Sequence, residues 1–126
     1  MEIFTGIDIV ENERIKDAIS RFGNRFLSRI FTEKEISYCS CKKFLHECLA
    51  ARFAAKEAYI KAFFQAFSIK LSFSHIEIAG KEGAPAEIFL HLPEKIQQQI
   101  KNPFKSTLSI SHERNYSVAV VVIYVF

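Results

Sequence analysis

Asp8, Glu57, Lys61 and His112 are the residues of this chain whose types and settings could do chemistry. Glu57 and Lys61 stand four apart, so a helix would put them on one face. On spacing alone they fit an ion pair with the acid first, which stabilises a helix by roughly 0.3–0.5 kcal/mol. Asp8 lies inside the apolar run Ile7-Asp8-Ile9-Val10. A carboxylate there must be paired, hold a metal, or turn to solvent on a half-buried strand. His112 closes the stretch Ser109-Ile110-Ser111-His112, as a ligand-contacting imidazole or as a strand-end histidine with a satisfied hydrogen bond. Arg52, five residues before Glu57, reads by itself as a solvated helix arginine.

These residues need elements to hold them. Phe44 to Phe64 is free of Gly and Pro, and Leu45, Leu49 and Phe53 recur every fourth residue, as on one face of a helix. Glu57 and Lys61 continue that stripe, so the helix has a buried part and a polar end. Ala50, Ala51, Ala54, Ala55 and Ala58 favour helix and let another element come close. Met1 to Val10 reads as an apolar strand in which Gly6 marks a bulge or a close backbone approach. Glu11 to Phe22 reads as an amphipathic helix with Ile15, Ala18, Ile19 and Phe22 inward, and Asn24 to Ile30 as a second short helix. Thr32 with Glu35 is a capping box opening a helix to Tyr38 or Cys39, and Phe31 can staple onto Ile36. Alternation over Leu71, Phe73, Ile76 and Ile78 predicts a strand. The turn Gly80-Lys81-Glu82-Gly83-Ala84-Pro85 leads to a partner strand, Glu87 to Leu92. Pro93 opens a short helix carrying Ile96 and Ile100. Thr107 to His112 and Tyr116 to Phe126 are strands joined by a turn at Glu113-Arg114-Asn115.

The 126 residues, 49% hydrophobic and 25% charged, are read as a single domain, 1–126, large enough to bury a core without metals or disulfides. Cys39, Cys41 and Cys48 are odd in number, and no secretory signal precedes them. Reduced thiols in the cytoplasm are therefore expected. One residue separates the first two and six separate the next pair, which is not the spacing of a zinc knuckle even with His46 nearby. The net charge is only +3, yet five basic residues, Arg14, Lys16, Arg21, Arg25 and Arg29, stand together against Asp17 alone. A local basic patch implies an acidic partner. Arg14, Arg21 and Arg25 would share one stripe if the helix ran on through Gly23. No nucleic-acid motif accompanies the patch, and no stretch reaches the roughly 20 apolar residues of a membrane helix. Val118 to Val125 is apolar on both faces. A small sheet with helices on one side covers only one of them, so self-association is expected to cover the other.

Three stretches, Gly6-Ile7-Asp8-Ile9-Val10, Arg52-Phe53-Ala54-Ala55-Lys56-Glu57-Ala58-Tyr59-Ile60-Lys61 and Ser109-Ile110-Ser111-His112, resemble one family in order, spacing and chain length. That family is the holo-[acyl-carrier-protein] synthases, a branch of the 4′-phosphopantetheinyl transferases. The resemblance implies an α+β fold, a small antiparallel sheet packed against a long helix plus short helices. It implies an enzyme that moves 4′-phosphopantetheine from coenzyme A to a serine of apo acyl carrier protein. Adenosine 3′,5′-bisphosphate is the other product, and the activity serves fatty acid biosynthesis. By the same resemblance Asp8 and Glu57 bind Mg²⁺, Lys61 faces the phosphates, and Arg52 and His112 contact coenzyme A. Arg14, Arg21 and Arg25 dock the carrier, and three copies form a homotrimer with sites at the subunit boundaries. The acceptor of the serine proton stays open between Glu57, Asp8 and a water oriented by Glu57.

One departure stands out. Where the family usually has a Gly-Thr-Gly turn after the helix motif, this chain has Phe64-Gln65-Ala66. Backbone contacts to coenzyme A that need glycine are therefore expected to be weakened or re-routed. Two rivals use the same features: a binding module holding a polyanion on the basic patch, and a metal-dependent pyrophosphohydrolase in which water replaces the protein serine.

Overall fold

Free of glycine and proline and rich in alanine, Leu45–Phe67 forms one 23-residue helix, α4, around which the other elements pack. The computed structural model describes residues 1–81 and 83–126. Ala50, Ala51, Ala54, Ala55, Ala58 and Ala62 are all buried along α4. Their small side chains let a sheet lie close against the helix. That sheet has the order β1 (Glu2–Glu11), β5 (Tyr116–Val125), β4 (Phe104–His112), all antiparallel. A second, two-stranded antiparallel sheet pairs β2 (Ile76–Lys81) with β3 (Ala84–Leu90). The short helices are α1 (Asn12–Phe22), α2 (Asn24–Ile30), α3 (Glu33–Ser40) and α5 (Glu94–Gln97). The fold is α+β as expected, with two small antiparallel sheets where one was foreseen. Among the described residues no helix is long and apolar enough to cross a membrane.

Gly6 has a clear physical role. The β1–β5 register runs without a shift from Glu2↔Val125 to Glu11↔Tyr116, so there is no bulge. A Cβ on Gly6 would instead run into the Ala58 carbonyl on α4. Glycine is there because β1 and α4 meet backbone to backbone.

The capping box at Thr32 is present. The Thr32 hydroxyl accepts from Glu35 N–H at 3.2 Å, and Thr32 N–H donates to Glu35 Oε1 at 2.8 Å. Glu35 does more than cap. It is buried, its Oε1 lies 2.7 Å from Lys56 Nζ, and its Oε2 accepts Ile78 N–H at 2.7 Å. Lys56, fully buried, also donates to the carbonyls of Ile30 at 2.7 Å and Phe73 at 3.2 Å. One ion pair thus ties α3, α4, β2 and the end of α2 together.

Several expectations need correction. Phe22 does not face inward but is 57% exposed, because Gly23 at φ 55° ends α1 with its N–H on the Ile19 carbonyl and turns the chain away. The same break puts Arg25 on α2, so Arg14, Arg21 and Arg25 do not share one helix stripe. Phe73–His75 is a 3-10 turn and the strand begins only at Ile76; Ser72 N–H donates to His75 Nδ1 at 3.0 Å and closes that turn locally. β3 runs from Ala84 to Leu90, so the expected turn is tighter, and its Glu82 lies outside the described residues. Phe64-Gln65-Ala66 simply prolongs α4, which Ser68 ends in the left-handed conformation at φ 57°, ψ 29°.

The cysteines are not all thiols. Cys39 in the last turn of α3 and Cys48 in the first turn of α4 form a disulfide, with Cα atoms 5.5 Å apart, and Cys41 is an exposed free thiol. The helix–turn–helix folds two cysteines nine apart back onto each other, which their spacing alone does not reveal.

Replacing Glu35 by Ala leaves a buried ammonium without its carboxylate and is expected to cost about 3–5 kcal/mol. Urea unfolding measures this as a lowered midpoint, and the paired Glu35→Leu/Lys56→Met variant should recover only part of the loss, because the Ile78 N–H and the Ile30 carbonyl then lose their partners.

Candidate active site

The unbroken register of β1 turns Phe4, Gly6, Asp8 and Val10 toward α4. The close approach at Gly6 then sets Asp8 beside the polar end of the α4 stripe. Asp8 and Glu57 line one cavity of about 360 Å³ with Arg14, Phe26 and Phe53. Lys61 Nζ donates to the Ile7 carbonyl at 3.0 Å and lies 3.4 Å from Asp8 Oδ1. Its ion-pair partner among the described residues is therefore Asp8 and not Glu57, so the i,i+4 pair expected from spacing gives way to a contact across elements.

The electrostatics of this cluster are in conflict. Burial raises the Asp8 carboxyl above its ordinary range, against the lowering effect of Lys61 and Arg14. Burial also raises Glu57, the Asp8 charge raises it further, and Lys61 and Lys70 oppose both. Two half-buried carboxylates, both raised by burial and one of them also by the charge of the other, form a site that a hard cation would relieve. Among the described residues there is no cluster of three or more His, Cys, Asp and Glu side chains. A cation held here would take the rest of its oxygen ligands from phosphate and water, which is how Mg²⁺ is commonly bound.

Glu57 also opens onto a neighbouring cavity of about 470 Å³ that carries Arg29, Lys70 and Ser72. Arg25 and Arg29 flank a third, of about 600 Å³, whose apolar lining is Phe22 and Phe26. Arg21 is exposed on α1.

Arg52 and His112 are brought together elsewhere, in a cavity of about 350 Å³ with Tyr38, Lys42, Lys43 and Cys48. Arg52 is not a solvated helix arginine: it is only 7% exposed. Its guanidinium sits 4.5 Å over the Tyr38 ring, and its Nη1 donates to the Cys48 carbonyl at 3.3 Å and to Cys48 Sγ at 3.2 Å. Its Nε is buried without a partner among the described residues. Burial pulls the group below its ordinary pKa. A buried cation with an unused donor is the make-up of an anion site.

The sequence singled out Asp8, Glu57, Lys61, Arg52 and His112, and Arg29 as part of the basic patch, but not Lys42, Lys43 and Lys70, which line the same cavities. The Lys42-Lys43 doublet just ahead of α4 was the one available signal; Lys70 had none, being set beside Glu57 by the turn after α4. The residues do not converge on one point. Five residues separate Arg52 from Glu57, which is about 140° around an α-helix. The anion pocket and the carboxylate pair therefore face different sides of α4.

A two-carboxylate centre on a strand and a long helix, with basic cavities around it, defines a class of α+β protein that handles phosphorylated ligands. The chain belongs to the 4′-phosphopantetheinyl transferase superfamily, whose family model matches residues 5–121. It is 49% identical over 118 residues to the holo-[acyl-carrier-protein] synthase of Aquifex aeolicus (strain VF5), covering 94% of this chain and 95% of the relative. It is 46% identical over 121 residues to that of Chloroherpeton thalassium (strain ATCC 35110 / GB-78), covering 94% of each. The Helicobacter pylori holo-[acyl-carrier-protein] synthase in complex with coenzyme A superposes with a TM-score of 0.74 at 32% identity, over 95% of this chain and 99% of that one. The Chronobacterium ammoniagenes ACPS–CoA complex gives 0.84 at 27% identity, over 100% and 99%.

The raised Glu57 carboxyl makes a prediction about metal-free protein. Its ordinary value is 4.5 and its folded value lies higher. A carboxyl raised on folding opposes folding once it ionises, so stability falls as pH climbs from below the ordinary value through the raised one. Glu57→Gln removes this penalty. Without metal it should melt a few degrees higher than the parent near neutrality, and the gain should vanish below about pH 4. Thermal unfolding in chelator at several pH values checks both.

Proposed function

We propose that this protein transfers the 4′-phosphopantetheine group of coenzyme A to a serine hydroxyl of apo acyl carrier protein, releasing adenosine 3′,5′-bisphosphate. The observation that carries the reading is the pairing of Asp8 on β1 with Glu57 on α4, with Lys61 held against Asp8. Attack at a pyrophosphate phosphorus needs charge neutralisation more than covalent help from the protein. Asp8 and Glu57 would hold Mg²⁺, which when bound neutralises the phosphoryl oxygens. Lys61 adds a cation beside the transferring group, and its bond to the Ile7 carbonyl keeps its long side chain aimed there. Glu57, set between two cavities, orients the water that accepts the serine proton. Arg52, with its unused buried donor, and His112 bind the nucleotide phosphates, joined by Lys42 and Lys43. A cytoplasmic setting in fatty acid biosynthesis belongs to this reading, with coenzyme A and the carrier as the two substrates.

The carrier docks on α1 and α2. Arg14, Arg21 and Arg25 are exposed there, and Arg25 and Arg29 flank the hollow lined by Phe22 and Phe26. An acidic helix of the carrier fits such a surface: its charges meet the arginines and its apolar side chains fill the hollow.

Assembly follows from the sheet. By register, Ile3, Ile7 and Ile9 of β1 share the outer face with Tyr124, Val120 and Val118 of β5. The three isoleucines are each more than half exposed, and soluble monomers seldom leave such a patch open. The site is also divided around α4, so one subunit's carboxylates and another's anion pocket would complete it. A closed ring of three copies buries the patch and joins the two halves.

Mass spectrometry of apo carrier incubated with enzyme, Mg²⁺ and coenzyme A should show the added phosphopantetheine. Bisphosphate release without carrier modification would identify a hydrolase instead. Asp8→Ala and Glu57→Ala should abolish transfer while remaining folded, and Lys61→Ala should lower turnover about 100-fold. Arg21→Glu should raise KM for the carrier several-fold and leave that for coenzyme A alone, and added salt should do the same. At micromolar protein, sedimentation equilibrium should give three times the 14.5 kDa of one chain. Val120→Glu on the outer face should dissociate folded subunits, whereas Val121→Glu, in the core, should unfold them.

A further inference from the structure

The disulfide between Cys39 and Cys48 lies at the anion pocket. Cys48 is part of its wall, together with Lys42, Lys43 and Arg52. The bridge closes residues 40–47 into a covalent loop, and that loop carries both lysines. Cys39 is fully buried, while Cys48 is only half-buried and its sulfur accepts from Arg52 Nη1 at 3.2 Å. Of the two residues Cys48 is the more accessible, and it lines the pocket against its buried cation. In a cytoplasm, a disulfide so placed is under constant exchange with thiols, and such bonds are typically transient or redox-sensing.

We infer that Cys39–Cys48 is a thiol-exchange site controlling anion binding in this pocket, strong when the bridge is closed and weak when it is reduced. The inference rests on the reading of the pocket as the coenzyme A phosphate site. The electrons come from a dithiol reductant. Its thiolate attacks Cys48 Sγ, the Cys39–Cys48 bond breaks, and Cys39 leaves as a thiolate that takes up a proton in its apolar setting. The reductant's second thiolate then closes its own disulfide and releases Cys48. The sum is one protein disulfide and one dithiol converted to two protein thiols and one reductant disulfide.

Two consequences weaken the pocket. The freed Cys48 sulfur lies against the Arg52 guanidinium, a neighbour that favours a thiolate over a thiol. It then neutralises the cation that would otherwise meet a phosphate. Opening the bridge also returns chain entropy to residues 40–47, so Lys42 and Lys43 are no longer held at the rim.

Titration calorimetry with adenosine 3′,5′-bisphosphate, on the protein oxidised and then reduced with dithiothreitol, tests this. Reduction should weaken binding about five- to tenfold, an ordinary size for coupling between two sites. It should raise KM for coenzyme A and leave KM for the carrier unchanged. Cys48→Ser, which has neither bridge nor thiolate, should bind between the two states and ignore the reductant. Cys41→Ser should switch as the parent does. Equal binding in both states overturns the inference and leaves the transferase reading standing. So does a response to dithiothreitol in Cys48→Ser, or three alkylatable thiols in the denatured oxidised protein instead of one. Loss of the circular-dichroism melt on reduction overturns it too, by making the bridge merely structural. Absence of bisphosphate binding even when oxidised overturns the reading of the pocket, and the inference with it.

Discussion

The contact between Gly6 and the Ala58 carbonyl is the constraint on which the rest of the structure depends. A strand and a helix can touch backbone to backbone only where neither carries a side chain in the way. The alanines of α4 clear one surface and Gly6 clears the other. Asp8 lies two residues from that point along β1, and Glu57 directly precedes Ala58. The carboxylates come from positions 49 apart in sequence, yet their closeness follows from this one contact. Any larger residue at position 6 pushes the strand away and separates the pair, whatever it does to stability.

The centre created in this way is electrostatically expensive. Burial raises both carboxylates and the Asp8 charge raises Glu57 further, and Lys61 only partly compensates because it is itself more than half exposed. Such a cluster survives because the scaffold behind it is well satisfied. Lys56, the residue next to Glu57, points the opposite way into Glu35 and two carbonyls. α4 thus carries a paired cation, Lys56, on its buried side and an incompletely compensated carboxylate, Glu57, on its open side, on consecutive residues. The first holds the helix in place, and the second faces the cavities it shares with Asp8 and with Lys70.

The pocket around Arg52 obeys a different logic. Its cation is stacked on Tyr38, bonded to Cys48 and left with one spare donor. It is preorganised but lies about 140° around α4 from Glu57, so a long ligand cannot reach both from within one subunit without passing around the helix. The uncovered outer face of the sheet and the divided site are two consequences of one fact: this small sheet is packed on one side only.

Local pattern was enough to locate most elements. Period-four apolar residues mark α4, short apolar runs mark β1 and β5, and Thr32 with Glu35 marks the start of α3, because each signal lies within a few residues of its effect. Asp8 was conspicuous as a carboxylate in an apolar run, whereas Glu57 and Lys61 fitted an ion pair by spacing and stood out only through the resemblance of their stretch to the family. What local pattern misjudged depends on partners far along the chain. The Glu35 carboxylate reads as a cap and is also half of a buried ion pair with Lys56. Lys61 reads as the partner of Glu57 and turns to Asp8 instead. Arg52 reads as solvated and is buried, and Cys39 and Cys48 read as thiols and are bridged. The sequence alone determined the helices and strands, the carboxylates and the basic stretch, since these rest on neighbours a turn or a pleat away. Only the tertiary structure decided which charges meet and which sulfurs join, since a contact between elements depends on how closely their backbones pack, and here that distance is set by Gly6 and a row of alanines.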